Sequence, residues 1–226
     1  MVTYTYFGHA CFMLDDGQSK LLFDPFLTGN SQATITADKV ECDYILISHA
    51  HSDHHGDAPE IANRTGAEIV AIPEILGLCT KKFKDLKCDP MNLGGTLKLP
   101  FGFVRMVSAL HSSGVAGGVA CGFVVNIGEK NFYYAGDTAL FEDMKIIGHR
   151  DKITAAILPI GDNFTMGIED AAVAAQWLNA PYVIPVHYNT WDIIAQDPNE
   201  FKKHTEEIAQ TEVKIIKPGE SWSVAY

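Results

Sequence analysis

Three histidines and an aspartate stand within six residues at His49, His51, Asp53 and His54. Imidazole and carboxylate are the ligands that zinc and related divalent metals take where thiolates are not used. The apolar run 45–47 precedes the cluster, which is therefore expected at the end of a buried strand. Alternate residues of a strand share a face, so His49 and His51 can hold one metal together. A turn at Ser52 would aim Asp53 and His54 at a second position beside the first. A polar loop with incidental histidines is the competing explanation, but such loops favour Gly, Ser, Asn and Asp.

Later candidates repeat this placement. His111 follows the apolar run 103–110, Asp137 follows 132–135 through Gly136, and His187 follows 182–186. Together with the opening cluster they make five histidines and two aspartates, enough for two metals with open coordination positions. His9 lies where the strand runs 2–7 and 10–14 meet. It is expected either to touch substrate, donating a proton to the leaving group, or to be a hydrogen-bonded histidine at a strand break. Asp24 ends the run 20–23 before Pro25 and is expected either to orient a ligand histidine through its free ring N–H or to cap the adjacent loop. Asp162, Asn163, Thr165, Tyr188 and Asn189 flank these strand ends, where pocket lining and ordinary turn chemistry compete.

The elements that must position these groups alternate between strands and helices. A hairpin turn at 15–18 joins strands 10–14 and 20–23. Asp57 is expected to cap a short helix entered through Pro59 and closed by Gly66. Strand 67–72, helix 73–79, and strands 91–93, 96–99 and 103–110 follow. Runs 119–127 and 132–135 flank the turn 128–131, and helix 140–147 precedes strand 155–160. Helix 168–178 leads to strand 182–186. Asp197, Pro198 and Glu200 mark another helix start. Strands 213–216 and 221–225 are expected to close the chain as a hairpin around Pro218 and Gly219. Hairpins mixed with crossovers predict an α/β protein with more than one sheet layer, not a purely parallel sheet.

The chain has 226 residues, 47% hydrophobic and 20% charged, which suits one domain spanning 1–226. Its net charge of −11 and the lack of any Lys/Arg run disfavour nucleic acid as a partner. The five cysteines form no C-x-x-C pair, which argues against a disulfide framework and against a structural zinc site. No run approaches the ~20 apolar residues of a membrane helix. No basic region followed by an apolar stretch opens the chain, so a cytoplasmic location is expected.

His49-Ala50-His51-Ser52-Asp53-His54 resembles the H-x-H-x-D-H signature of the metallo-β-lactamase superfamily. His111, Asp137 within Ala135-Gly136-Asp137-Thr138, and His187 match its later motifs in order, over nearly the whole chain. Gly8-His9-Ala10 and Asp24-Pro25-Phe26 look like the branch that contains ascorbate-6-phosphate lactonase and many uncharacterised metal-dependent hydrolases. The stretches 159–167 and 185–191 are most similar to those uncharacterised members. The resemblance implies a four-layer αββα sandwich, two mixed sheets flanked by helices, with the metals at one edge. It implies that His49, His51 and His111 hold one metal, that Asp53, His54 and His187 hold the other, and that Asp137 bridges both. It further implies cleavage of a small ester, lactone or phosphoester by a water shared between the metals and ionised to hydroxide, with Asp53 accepting or relaying a proton. Zinc is the first expectation for both ions, with manganese, iron and nickel as alternatives. Retention of His51, where redox members carry glutamate, favours hydrolysis. A small molecule is the expected substrate, a membrane is not an expected partner, and homo-oligomerisation is left open. An RNA-cleaving phosphodiesterase and a non-catalytic metal-binding protein of the same fold are the competing functions.

Overall fold

The computed structural model describes residues 1–224. Its strands are β1 (Val2–Gly8), β2 (Cys11–Asp15), β3 (Lys20–Phe23), β4 (Tyr44–Leu46), β5 (Glu68–Ala71), β6 (Cys88–Pro90), β7 (Thr96–Leu99), β8 (Gly102–Ser108), β9 (Cys121–Ile127), β10 (Lys130–Tyr134), β11 (Ala155–Pro159), β12 (Tyr182–Val186), β13 (Glu212–Val213) and β14 (Ser221–Val224). The helices are α1 (Ser52–His55), α2 (Ala58–Thr65), α3 (Pro73–Lys82), α4 (Asp143–Asp151), α5 (Ile168–Leu178) and α6 (Pro198–Ile208). Among the described residues the strands form two seven-stranded sheets, ordered β14-β1-β2-β3-β4-β5-β6 and β13-β12-β11-β10-β9-β8-β7. Each sheet is antiparallel at one end and parallel at the other, with β3 to β6 parallel in the first and β10 to β13 parallel in the second.

Period-two alternation sorts the side chains into layers. On β10, Phe132 and Tyr134 enter the core between the sheets, whereas Tyr133 faces the helices outside. On β11, Ala155 and Ile157 point inward and Ala156 and Leu158 point outward. Aromatic rings stitch the two sheets together: Phe12 stacks on Phe23 at 4.3 Å and meets Tyr134 edge-on at 5.1 Å. Ile61, Ala62, Ile75 and Cys79 of α2 and α3 pack on the first sheet, and Met144, Ala171, Ala175 and Phe201 of α4, α5 and α6 cover the second. The architecture is the expected αββα sandwich.

Several local expectations are corrected. Asp57 precedes α2, but its side chain makes no cap bond; Oδ2 instead accepts from the backbone N–H groups of Leu27 and Thr28 at 3.0 and 2.8 Å. A loop donor pair fixed by tertiary contact outcompetes the helix end. Residues 91–93 form no strand; β6 lies earlier, because Cys88–Pro90 pairs with β5. The helix expected at 140–147 starts only at Asp143. The expected closing hairpin does not form. β13 extends the second sheet beside β12, whereas β14 extends the first beside β1. The turn between them docks on β1, through Gly219 N–H to the Tyr6 carbonyl at 2.7 Å and Tyr6 N–H to the Glu220 carbonyl at 3.1 Å. Position 225 lies outside the described residues. No helix among the described residues is long and apolar enough to cross a membrane.

Candidate metal centre

Parallel strands end together, and open α/β sheets place ligands outside their carboxyl ends. β3 ends at Phe23 before Asp24, β4 and the short stretch 47–48 lead to His49, β10 leads to Asp137, and β12 ends before His187. The single helical turn α1 then carries Asp53 and His54 back toward the strand ends. His9, Asp24 and His187 all have positive φ, at 56°, 39° and 56°. For non-glycine residues that conformation is held by surrounding structure and turns each side chain out of its strand direction.

The residues named from sequence converge at this edge. One group is formed by His49 Nε2, His51 Nδ1 and His111 Nε2, with 2.9 Å between His49 and His51 and 3.3 Å between His51 and His111. A second group comprises Asp53 Oδ2, His54 Nε2 and His187 Nε2, with Asp53 lying 3.7 Å from His54 and 3.8 Å from His187. Asp137 stands between them. Its Oδ2 is 3.6 Å from His111, 3.9 Å from His49 and 3.1 Å from His187, and its Oδ1 is 3.3 Å from His54. Four ligands at ~2.0–2.1 Å from a tetrahedral zinc ion stand roughly 3.3–3.4 Å apart, so both groups have the spacing of a closed shell around a cation. Among the described residues His54 Nε2, His187 Nε2 and Asp137 Oδ1 are buried without a hydrogen-bond partner. Buried polar atoms are normally satisfied, and a cation in each group satisfies these. The donor set therefore fits divalent metal.

The far sides of the His49 and His54 rings are fixed by a network centred on Asp24, which is fully buried. The Ser48 backbone N–H donates to Asp24 Oδ1 at 2.8 Å. The Ser48 hydroxyl, the Tyr134 hydroxyl and His54 Nδ1 donate to Oδ2 at 2.5, 2.6 and 2.7 Å. Ser48 Oγ in turn lies 3.0 Å from His49 Nδ1, and Ser112 Oγ lies 3.2 Å from His51 Nε2. Each contact holds a ring N–H of His49, His51 and His54 on the side away from the cluster, so that the other ring nitrogen is the one a cation would use. His187 Nδ1 has no such partner.

Electrostatics follow the same geometry. Burial disfavours the charged form of His54, but Asp137 and Asp24 outweigh it and hold its pKa well above the ordinary value. Burial likewise opposes charge on His187, yet Asp137 and Asp53 push it up to about 9. Burial and the neighbouring His54 leave His49 well below the ordinary value, and burial lowers His111. Burial raises Asp53 and Asp137 less than the histidines lower them, so both carboxylates are held ionised.

His9 is fully buried and does not line the cavity at the centre. This placement matches the hydrogen-bonded alternative for His9. Burial lowers its pKa to about 4, and a neutral ring satisfies both of its contacts. Nε2–H donates to Asp53 Oδ2 at 3.0 Å, and the Thr190 hydroxyl donates to Nδ1 at 2.8 Å. Asp162, Asn163, Thr165, Tyr188 and Asn189 do not line the cavity either. Asp162, Asn163 and Asn189 adopt positive φ in tight turns, the turn chemistry that competed with pocket lining. The cavity, of about 370 Å³, is lined by His51, Asp53, His111, Ser112, Asp137, Phe164, His187 and Trp191. Phe164 and Trp191 escaped the sequence reading, although large aromatic residues two and four positions from Asp162 and His187 were a usable signal. Tyr134 carried none, since an inward strand tyrosine reads as core.

Residues 19–188 match the family model described as a beta-lactamase superfamily domain. A UPF0173 metal-dependent hydrolase of Natranaerobius thermophilus is 47% identical over 216 residues, covering 96% of both chains. The chain belongs to the UPF0173 metal-dependent hydrolase family of the beta-lactamase superfamily. A second member, from Heliobacterium modesticaldum, is 45% identical and covers 98% of this chain and 97% of its own. Among solved structures, Igni18, a metallo hydrolase from the hyperthermophilic archaeon Ignicoccus hospitalis, superposes with a TM-score of 0.92 at 37% identity, covering 100% of this chain and 99% of its own. A metal-dependent hydrolase from Parabacteroides distasonis shares the fold at 23% identity and a TM-score of 0.74, covering 97% and 94%.

Proposed function

We propose that this chain is a one-domain, cytoplasmic hydrolase that binds two divalent metals and cleaves a small ester, lactone or phosphoester. The observation that carries this reading is Asp137, whose two oxygens face both donor groups at 3.1–3.9 Å. In this assignment His49, His51 and His111 would hold one ion and Asp53, His54 and His187 the second, with Asp137 standing between the two groups as the residue they would share. Zinc suits the nitrogen-rich set best, and manganese, iron and nickel accept it as well. Bound metal would supply Lewis acidity toward the scissile group and make water acidic enough to attack at neutral pH.

The chain's own residues supply orientation and proton handling. Asp53 lines the cavity, and its Oδ2 is fixed by His9, so it is the protein group placed to receive the proton from the attacking water. His9 acts through Asp53 as a positioning residue, held in turn by Thr190. Asp24 and Ser48 keep the His49 and His54 lone pairs aimed at the cluster. Asp137→Ala and His187→Ala are expected to reduce bound metal below wild-type stoichiometry and to abolish turnover. Elemental analysis together with hydrolysis of 4-nitrophenyl esters measures both. Undiminished turnover in either variant would refute the two-metal mechanism.

A further inference from the structure

The charges around the cavity are one-sided. Of the loops that form this edge, residues 24–43, 47–57, 109–120, 135–142, 160–167 and 187–197, only the first contains a lysine, Lys39, and it does not line the cavity. No lysine or arginine lines the cavity among the described residues. Asp162 and Asp192 adjoin its aromatic wall instead. Enzymes that bind phosphate esters normally add arginine, lysine or helix N-terminal donors for the non-reacting oxygens. The cavity lining has neither Arg nor Lys to offer.

The same loops present apolar surface. Phe164 and Trp191 are 53% and 43% exposed although both line the cavity, and Leu110 and Ile193 on neighbouring loop positions are 55% and 59% exposed. Trp191 is braced from within, its ring 4.9 Å from His9 and 6.1 Å from Phe26. Phe164 projects from a tight turn pinned by Met166 N–H to the Thr138 carbonyl at 2.9 Å, with Asp162 and Asn163 at positive φ. Exposed large apolar side chains gathered around a polar centre mark a ligand surface.

We propose that the substrate is an uncharged carboxylic ester or lactone with an aromatic or branched apolar group, and that Phe164 and Trp191 are its specificity-determining residues. This narrows the reading above and rests on it. The acyl carbon gains a C–OH bond from water as its C–O bond to the alcohol breaks. The displaced alkoxide takes up a proton, and the acid product ionises. The neutral substrate meets no repulsion from the acidic rim, and the anionic product finds no lysine or arginine in the cavity to hold it.

The test compares 4-nitrophenyl acetate with 4-nitrophenyl phosphate, which share a leaving group, on zinc- or manganese-loaded protein, with Asp137→Ala as the background control. The ester is expected to be preferred in kcat/KM by about 100-fold or more. Phe164→Ala and Trp191→Ala are each expected to raise KM for the ester about tenfold with little change in kcat, the mark of lost uniform binding. A phosphate preference, or unchanged KM in both variants, would overturn the proposal. Binding is read independently of turnover by quenching of Trp191 fluorescence, assigned with Trp191→Phe, using a non-hydrolysed neutral aryl amide against an aryl phosphonate. Tighter phosphonate binding overturns the proposal. Absence of all turnover defeats the hydrolase reading, and the quenching then still decides the ligand class.

Discussion

Asp24→Asn removes one buried charge while keeping the side-chain shape. The carboxylate accepts from Ser48 N–H, the Ser48 hydroxyl, the Tyr134 hydroxyl and His54 Nδ1 at 2.8, 2.5, 2.6 and 2.7 Å. An amide offers one acceptor oxygen and one NH2 donor. With NH2 toward the Ser48 backbone, donor faces donor. Turned round, NH2 meets both hydroxyls and His54 Nδ1 at once. The hydroxyls can rotate to accept, but a protonated His54 in the metal-free protein has no lone pair to offer, and a neutral His54 holding metal could accept only by moving its proton to Nε2, the nitrogen that faces Asp137 Oδ1. A bond to a charged group contributes ~1.5–3 kcal/mol, and a buried unsatisfied donor costs ~1–3 kcal/mol. The expected loss of folding stability in the metal-free protein is therefore about 3 kcal/mol, read from urea unfolding. Losing the partner of a ligand histidine is expected to weaken metal binding about 10–100-fold, or ~1.4–2.7 kcal/mol, read by competition with a chelating dye. Tyr134→Phe separates the two effects, because it deletes one donor and leaves the His54 proton in place. It should cost ~1–2 kcal/mol of stability with metal affinity within about threefold of wild type. Wild-type metal affinity in Asp24→Asn, alongside lost stability, would refute the tautomer argument.

Two further outcomes follow from the same geometry. Burial opposes the charge on His187, but Asp137 and Asp53 raise its pKa in the metal-free protein from 6.5 to about 9. A raised folded pKa contributes stability that is complete below 6.5 and lost as pH rises through about 9. Metal-free protein should thus lose stability across that window, while metal loading at neutral pH releases protons and tightens as pH rises. Calorimetry in buffers of different ionisation enthalpy measures the release; metal-free stability that climbs across the window would refute the assignment. Gly114→Ala should disturb the first donor group. Gly114 has φ 71°, and an added Cβ would lie 2.8 Å from the Ala50 carbonyl carbon and from His51 N and Cδ2. A strained backbone position of this kind costs ~1–3 kcal/mol, and displaced His51 should lower bound metal per chain. Unchanged melting temperature and metal content would contradict this.

The strand-end placement of His49, His111, Asp137 and His187 was legible from local pattern alone. Each is a polar ligand-type residue at or just past the end of an apolar run, and neither burial nor pairing needs to be known to see it. The layer order was legible only through the family resemblance; the strand and helix runs by themselves predicted no more than an α/β protein with more than one sheet layer. Tertiary structure decided everything that depends on which distant surfaces meet. Tyr134 bonds Asp24 across the two sheets, and His9 turns its ring to Asp53 and Thr190 instead of the cavity. Phe164 and Trp191 become neighbours at one cavity although they sit on separate loops. The failed closing hairpin shows the physical reason most directly. The runs 213–216 and 221–225 have the pattern of paired strands, but pattern fixes only which face is apolar. Which open edge each strand joins is set by the sandwich, where β12 and β1 each offer unpaired backbone groups. The sequence by itself therefore determined the chemistry assembled at one edge; the packing of two sheets decided how each ring is oriented and what surrounds the reacting centre.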